Sequence, residues 1–471
     1  MKLQTVFPLK IYLHLFQLEG YSPQRFLSWW LKHPFTHQLS QKKTLILTFK
    51  AKFLLYASRL LFLLFLSLLL LFSSPFWPTQ ILLVTLTFFF FTFTPFLFLF
   101  LSLLLLKPYE IINKKRVIEK SRRTILNHPH LTTIGITGSY GKTSTKDFLY
   151  QILNLHQSTL KTPESYNTIF GIAKTIKLEL LSKNHFFICE MGAYKRGEIK
   201  TLTHQIPSQY AILTAIGSQH LERFKNIRNT TLAKFELIDT IKPQNVIVNL
   251  DNPHIQKHLQ LKQYSSVKTY SLINPQANFY VTKYQLTSKG TDFSLKYKNK
   301  IYTFSSSLFG TNNLQNLTAA ISMALMLNVP SQTIKQALKH IQPSPHRLQL
   351  KKINKSILID NAYSSNEQGF HNIIQDIKKL PGKKALITPG IIELGIQSDT
   401  VHQQLGKAIK PIFDQIILVG KNSRTQNLAQ TINSLSKTKF ISNSENIQPI
   451  IQKLSQKFDW ILLENDLPDN Y

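Results

Sequence analysis

The chain has 471 residues, 43% of them hydrophobic, and a single cysteine, Cys189, which excludes an intrachain disulfide framework and a Cys-rich zinc site. Its 56 Lys and Arg against 24 Asp and Glu give a formal net charge of +32, pointing to anionic lipid, a phosphorylated substrate or nucleic acid as partner. No zinc finger or interleaved basic–aromatic motif accompanies the charge, which argues against nucleic acid.

Residues 1–107 hold one acid, Glu19, and ten Lys or Arg. Their first part places Ile11, Leu13, Leu15, Phe16 and Leu18, then Phe26, Leu27, Trp29, Trp30 and Leu31, among Arg25 and Lys32. Paired tryptophans beside bases fit a helix lying in a membrane interface, or one packed on the segments that follow. Those segments are Phe53–Phe72, charged only at Arg59, and Ile81–Leu106, which carries no charge. About 20 apolar residues suffice to cross the hydrocarbon core, so a two-span anchor is expected, kinked or tilted at Pro95. Lys42, Lys43, Lys50 and Lys52 precede the pair; Lys107, Lys114, Lys115, Arg116, Lys120, Arg122 and Arg123 follow it; the loop between is uncharged. The positive-inside rule then predicts a multi-pass protein of the cell membrane with both ends, and everything after Lys107, in the cytoplasm.

Beyond the anchor the pattern becomes α/β. The apolar stretch Leu131–Gly135 predicts a strand, and it runs into Thr137-Gly138-Ser139-Tyr140-Gly141-Lys142-Thr143-Ser144-Thr145. Phe148, Leu149, Ile152 and Leu153 then recur at helical spacing. Strand, glycine-bounded loop, Lys-Thr and helix form the context of a phosphate-binding loop. Backbone amides of Gly138 through Ser144 and the helix N-terminus would cradle phosphate, Lys142 would add charge, and the Thr143 hydroxyl would meet Mg²⁺. His185–Cys189 predicts a strand ending in Glu190, an acid placed to hold Mg²⁺ directly or through water.

These segments, in this order, resemble the Mur ligase family of ATP-dependent amide-forming enzymes of peptidoglycan synthesis. The resemblance runs from about Ile134 to His402. It is carried also by Thr162–Asn167 with Gly171-Ile172, by Arg196-Gly197-Glu198-Ile199, by Gly217–Phe224, by Ala233-Lys234-Phe235-Glu236, by Gly310–Ala320, by His346-Arg347-Leu348, by Ile357–Asn366 and by Thr388–Gly395. The Arg196–Ile199 run is closest to the branch that adds D-alanyl-D-alanine to a UDP-muramoyl-tripeptide. The resemblance implies His220 as a second-magnesium ligand and Lys234 as a carbamylated lysine. It also implies Asn316 at adenine, Arg347 near ATP, and Asp360 at the ribose or phosphate side. Three positions depart from the family pattern: Thr168 for Asn, Asn312 for His, and Gly390 for Asp. The anchor stands where the family has its UDP-binding domain, and the C-terminal Glu464–Tyr471 lacks the family's Lys-Gly-Ser run.

The expected architecture is therefore an interfacial helix and two-helix membrane anchor (1–107), an α/β central ATP-binding domain with the phosphate loop (108–342), and a doubly wound α/β C-terminal domain (343–471). Residues 262–310 alternate like β-hairpins inserted before the adenine segment. The implied reaction is ATP-dependent amide formation through an acyl phosphate. A muramyl peptide and an amino acid or dipeptide are the substrates, and membrane-bound cell-wall enzymes are the expected neighbours. The competing readings are a membrane-tethered scaffold that binds ATP without ligating, prompted by Thr168, Asn312 and Gly390, and a transport or signalling ATPase. Two spans are too few for the transport path.

Overall fold

A computed structural model describes residues 9–32, 45–72, 78, 81–83, 85–87, 96–164, 166–217, 221–261, 264–363, 366–391, 394, 397–442 and 447–464. It contains two compact units, residues 1–116 and 117–471.

In the first unit the helices Leu9–Leu18 and Pro23–Lys32 precede Phe49–Phe72 and the start of Phe96–Leu126. Leu13, Phe16 and Phe26 are buried with Leu54, Phe96 and Leu99, and the Phe16 and Phe26 rings meet edge-on at 5.8 Å. The short helices therefore pack on the long ones, the second of the two readings left open by the sequence. Ser58 Oγ and Ser102 Oγ lie 3.0 Å apart between the long helices, and Lys50 pairs with Glu110 at 2.8 Å. Outside this core, Leu60, Leu63, Leu64, Leu68, Leu97, Leu101 and Leu104 are exposed. Both long helices are apolar enough over a sufficient length to cross a membrane, yet only 22% and 28% of their apolar windows are buried, unlike core helices of a soluble domain. The expected span Ile81–Leu106 coincides with the long helix only from Phe96; Pro95 lies outside the described residues. The helix does not stop at Lys107 but continues, with Pro108 inside it, to Leu126.

The second unit is built on two sheets. The first has nine strands: β1 (Thr132–Thr137), β2 (Thr159–Lys161), β3 (Phe186–Glu190), β4 (Tyr210–Leu213), β5 (Val246–Asn249), β6 (Lys268–Ser271), β7 (Phe279–Thr287), β8 (Gly290–Tyr297) and β9 (Lys300–Ser306). Their order is β2-β3-β1-β4-β5-β6-β7-β8-β9. The pairs from β2 through β7 are parallel, and β7-β8-β9 form the antiparallel meander expected over 262–310. Ile134 and Ile136 of β1 face Phe148, Leu149 and Ile152 of the helix Lys142–His156 and Leu317 and Ala320 of Thr311–Met326. The opposite face packs on Glu198–Gln205 and Ile227–Ile238 through Ile199, Leu202 and Phe235. A sheet buried on both faces explains the near-continuous apolar strands.

The second sheet comprises β10 (Gln349–Ile353), β11 (Ser356–Asn361), β12 (Lys384–Thr388), β13 (Gln415–Val419), β14 (Thr438–Ile441) and β15 (Trp460–Glu464), in the order β10-β11-β15-β12-β13-β14. Only β10 runs antiparallel to its neighbour. In the first sheet the chain leaves β1 for β2 and β3 on one side and crosses to β4 on the other. The loop after β1 thus sits at the topological switch point, where open α/β sheets bind ligands.

Candidate functional site

Gly141 ends that loop at φ 80° and caps the helix Lys142–His156; a side chain at this position would run into Asn316. The first-turn amides of a helix have no partner within it, which makes this end an anion cradle. Lys142 Nζ curls back to donate to the Gly138 carbonyl at 2.8 Å and the Ser139 carbonyl at 3.1 Å. Burial pulls its pKa down, the Glu190 carboxylate holds it up, and Arg347 lowers it further.

Glu190, at the end of β3, is almost fully buried and meets three side-chain donors. Its Oε2 accepts the Thr143 hydroxyl at 2.9 Å and lies 3.4 Å from Lys146 Nζ; its Oε1 accepts Asn167 Nδ2 at 3.2 Å. Lys146 also donates to the Glu164 carbonyl. A buried carboxylate beside a hydroxyl offers hard oxygen ligands, and this donor set fits Mg²⁺, which prefers one or two protein oxygens with water and phosphate completing its shell. Among the described residues no group of three or more His, Cys, Asp or Glu forms a metal cage. His220 lies outside the described residues.

Lys234, on Ile227–Ile238, is buried, with its Nζ 5.8 Å over the Phe224 ring. Burial and the nearby Lys142 charge lower its pKa to about 7, against the pull of Glu198, Glu190 and Glu236. Glu236 is committed elsewhere: it accepts Gly197 N–H at 2.6 Å and Lys200 N–H at 2.9 Å, capping Glu198–Gln205.

A cavity of about 770 Å³ opens beside the loop, lined by Tyr140, Gly141 and Ser144, by Asn316, by Arg347 and by Asn361. The cavity lining brings together the sequence-predicted Tyr140, Gly141, Ser144, Asn316 and Arg347, while Glu190 is joined to the loop through Thr143. Asn316 Oδ1 accepts Thr145 Oγ1 at 3.4 Å. Asp360 is not part of the cavity lining: its Oδ2 takes His346 Nδ1 at 2.9 Å and Lys351 Nζ at 2.6 Å, while its neighbour Asn361 lines the cavity. Sequence reasoning missed Lys146, and it placed Asn167 in a matching segment without giving it a role. Lys146 stands four residues after Lys142, on the same helix face, and that spacing was the available signal.

The three departures have structural roles. Thr168 caps Ile169–Glu179 by accepting Gly171 N–H at 3.4 Å. Asn312 donates to the Gly369 carbonyl at 3.0 Å and accepts Asn372 Nδ2 at 2.7 Å, tying Thr311–Met326 to the helix Glu367–Lys378. Gly390 has φ 81°, and a Cβ there would stand 2.7 Å from His402 Nε2, so Asp could not replace it without displacing that ring.

The sequence profile of the Mur ligase middle domain matches residues 136–324, the stretch from β1 through Thr311–Met326 that builds this site. This stretch is similar to the middle domain of Mur ligases. The UDP-N-acetylmuramoyl-tripeptide–D-alanyl-D-alanine ligase of Buchnera aphidicola (subsp. Acyrthosiphon pisum) is 30% identical over 289 residues, covering 59% of this chain and 63% of the relative. The Escherichia coli enzyme of the same name is 27% identical over 303 residues, 64% and 67% of the two chains. The chain thus spans less than two thirds of the Buchnera relative's length. Among solved structures, MurF from Acinetobacter baumannii superposes with a TM-score of 0.66 at 24% identity, covering 76% of this chain and 78% of that one. MurF from Thermotoga maritima in complex with ADP gives 0.66 at 22%, covering 75% and 80%. At these identities the structures establish a shared Mur ligase fold.

Proposed function

We propose that this Mur ligase-type chain is an ATP-dependent carbon–nitrogen ligase that adds D-alanyl-D-alanine to a muramyl tripeptide in peptidoglycan precursor synthesis. The observation that carries the reading is the phosphate loop with Lys142 and its Thr143–Glu190 pair, beside a cavity lined by Tyr140, Gly141 and Ser144 of that loop, inside the stretch matching the family. The named relatives are ligases of that specificity, which supports the choice of substrates.

In the reaction, a substrate carboxylate oxygen attacks the γ-phosphorus of ATP, the bond to the β-phosphate oxygen breaks, and ADP leaves. The amine nitrogen then attacks the acyl carbon, phosphate departs, and the amine gives up a proton as the amide forms. Loop amides, Lys142 and Arg347 stabilise the equatorial oxygens of the transferred group, the main need of such a transfer. Thr143, Glu190 and, by resemblance, His220 would hold Mg²⁺, which when bound neutralises phosphate charge. By resemblance Asn316 would contact the base, and Asp360 would serve the ribose side through its neighbour Asn361, which lines the cavity. Lys234 is assigned as a carbamate: a buried amine with a pKa of about 7 is nucleophilic toward carbon dioxide near neutrality.

We read residues 1–107 as a membrane anchor, 108–342 as the ATP-binding domain and 343–471 as the C-terminal domain, with the catalytic part on the cytoplasmic face. Lipid, and through it membrane-bound cell-wall enzymes, are the partners that arrangement serves. The scaffold alternative loses its motive, since Thr168, Asn312 and Gly390 each have a structural role. The test is phosphate release with mass detection of the product. Release that requires both the UDP-linked tripeptide and D-alanyl-D-alanine is expected; release indifferent to both, or none, overturns the reading.

A further inference from the structure

Residues 342–348 read Gln-Pro-Ser-Pro-His-Arg-Leu and lead from the helix Ser331–His340 into β10. Prolines at 343 and 345 fix φ and press Gln342 and Ser344 towards extended backbone, so the segment is stiff before it makes a contact.

Its first half is fastened to the helix that begins at the phosphate loop. Gln151 Nε2 donates to the Gln342 carbonyl at 3.0 Å, and Gln342 N–H donates to Gln151 Oε1 at 2.8 Å. One turn earlier, Asp147 Oδ2 accepts the Ser344 hydroxyl at 2.5 Å while its Oδ1 accepts Lys161 Nζ at 2.7 Å. The second half is fastened to the end of β11. His346 Nδ1 meets Asp360 Oδ2 at 2.9 Å, Leu348 N–H donates to Asn361 Oδ1 at 3.2 Å, and Tyr363 N–H donates to the His346 carbonyl at 3.2 Å. Between the two fastenings the chain turns left-handed twice, with φ 57° at His346 and 52° at Leu348. Such backbone persists in residues other than glycine only where the surroundings hold it. The residue between them is Arg347, which lines the cavity with its guanidinium 4.8 Å over the Tyr363 ring and within electrostatic reach of Lys142 and Glu190.

We propose that Asp147 and Gln151 are positioning residues that set Arg347 over the phosphate loop. One helix then carries both the loop's lysine at its start and, further along, the bracket for the arginine, so the two cations keep a fixed separation. This rests on the reading that Arg347 meets the transferred phosphoryl group.

The test uses the full chain in detergent. Gln151→Ala removes both hydrogen bonds to Gln342, and Ser344→Ala removes the Asp147 contact while sparing Lys161. Displacing a group by about 1 Å can cost a hundredfold, so the pair should lower kcat about tenfold with the KM for ATP changed less than about threefold. Ser344→Thr, which keeps the hydroxyl, should stay near wild type. In an Arg347→Ala background the same pair should cost less than about twofold, because nothing remains to be positioned. Equal losses in both backgrounds would overturn the proposal. A second readout needs no activity: phenylglyoxal labelling of Arg347, followed by mass spectrometry, should quicken in the Gln151→Ala/Ser344→Ala chain. An unchanged labelling rate overturns the bracket even if ligation fails in the wild type, whereas quickened labelling without ligation sinks only the ligase reading.

Discussion

Lys142 donates to two carbonyls of its own loop, so removing it deletes a charge of the phosphate loop and no core volume. Lys142→Ala should therefore lower ATP turnover by at least about a hundredfold, the scale for losing one preorganised donor, with little change in thermal unfolding. Steady-state phosphate release alongside calorimetry checks both halves. Lys234 makes a pH-dependent case. Burial lowers its pKa to about 7, so in the folded chain the amine is neutral above that pH, while in the unfolded chain it stays protonated up to its ordinary range near 10.5. Between these limits the unfolded state binds more protons, and stability rises with pH; below 7 both states are charged and the burial cost is borne in full. Activity should climb as pH passes through about 7 and should increase with added bicarbonate at fixed pH. A Lys234→Ala chain should show neither response. Indifference of the wild-type chain to bicarbonate would remove the carbamate.

At the level of elements, the loop at the β1 switch point was readable because strand, glycines, Lys142 and helix are contiguous, and their chemistry is local. The meander β7-β8-β9 was readable for the same reason: alternation is a short-range signal. Asp147 meeting Ser344, or Glu236 capping Glu198–Gln205, was not, because each joins side chains far apart in sequence and neither residue type announces its partner. The packing of Leu9–Leu18 on the long helices was undecidable for a related reason: an apolar face fits lipid or protein equally well, and only the Phe16–Phe26–Phe96 cluster chooses. Gly390 gives an element-scale prediction. It ends the turn after β12 at φ 81° with His402 Nε2 against it, and that ring nitrogen accepts Ile391 N–H at 3.0 Å while Nδ1 lies 2.6 Å from the Ser398 carbonyl. Restoring the family's aspartate, Gly390→Asp, should destabilise the chain by about 1–3 kcal/mol through forced left-handed backbone alone, with more from the displaced ring. Chemical denaturation should show it; an unchanged midpoint would mean the turn is free to refold.

On the scale of the whole molecule, the two units pose opposite solvent problems. Residues 117–471 bury their apolar strands between helices, whereas residues 1–116 leave Leu60, Leu63, Leu64, Leu97, Leu101 and Leu104 exposed on two long helices. A surface of that kind in water would be an aggregation liability; in lipid it is the expected exterior, with Ser58 and Ser102 satisfied internally against each other and their own helices. The two environments predict opposite responses to the same substitution. Leu63→Lys or Leu101→Lys on a water-facing surface would be neutral or improve solubility. Facing lipid near the helix centre, Leu63→Lys costs about 2.5–3.5 kcal/mol of insertion free energy, and Leu101→Lys, closer to the Lys107 end, costs less. We expect the wild-type chain to remain with the membrane fraction through alkaline carbonate extraction, and the Leu63→Lys/Leu101→Lys chain to be released or degraded. A double-lysine chain that stays in the membrane pellet, or a wild-type chain that is washed off, would show that these helices are not embedded and would return the exposed leucines to an interface between proteins.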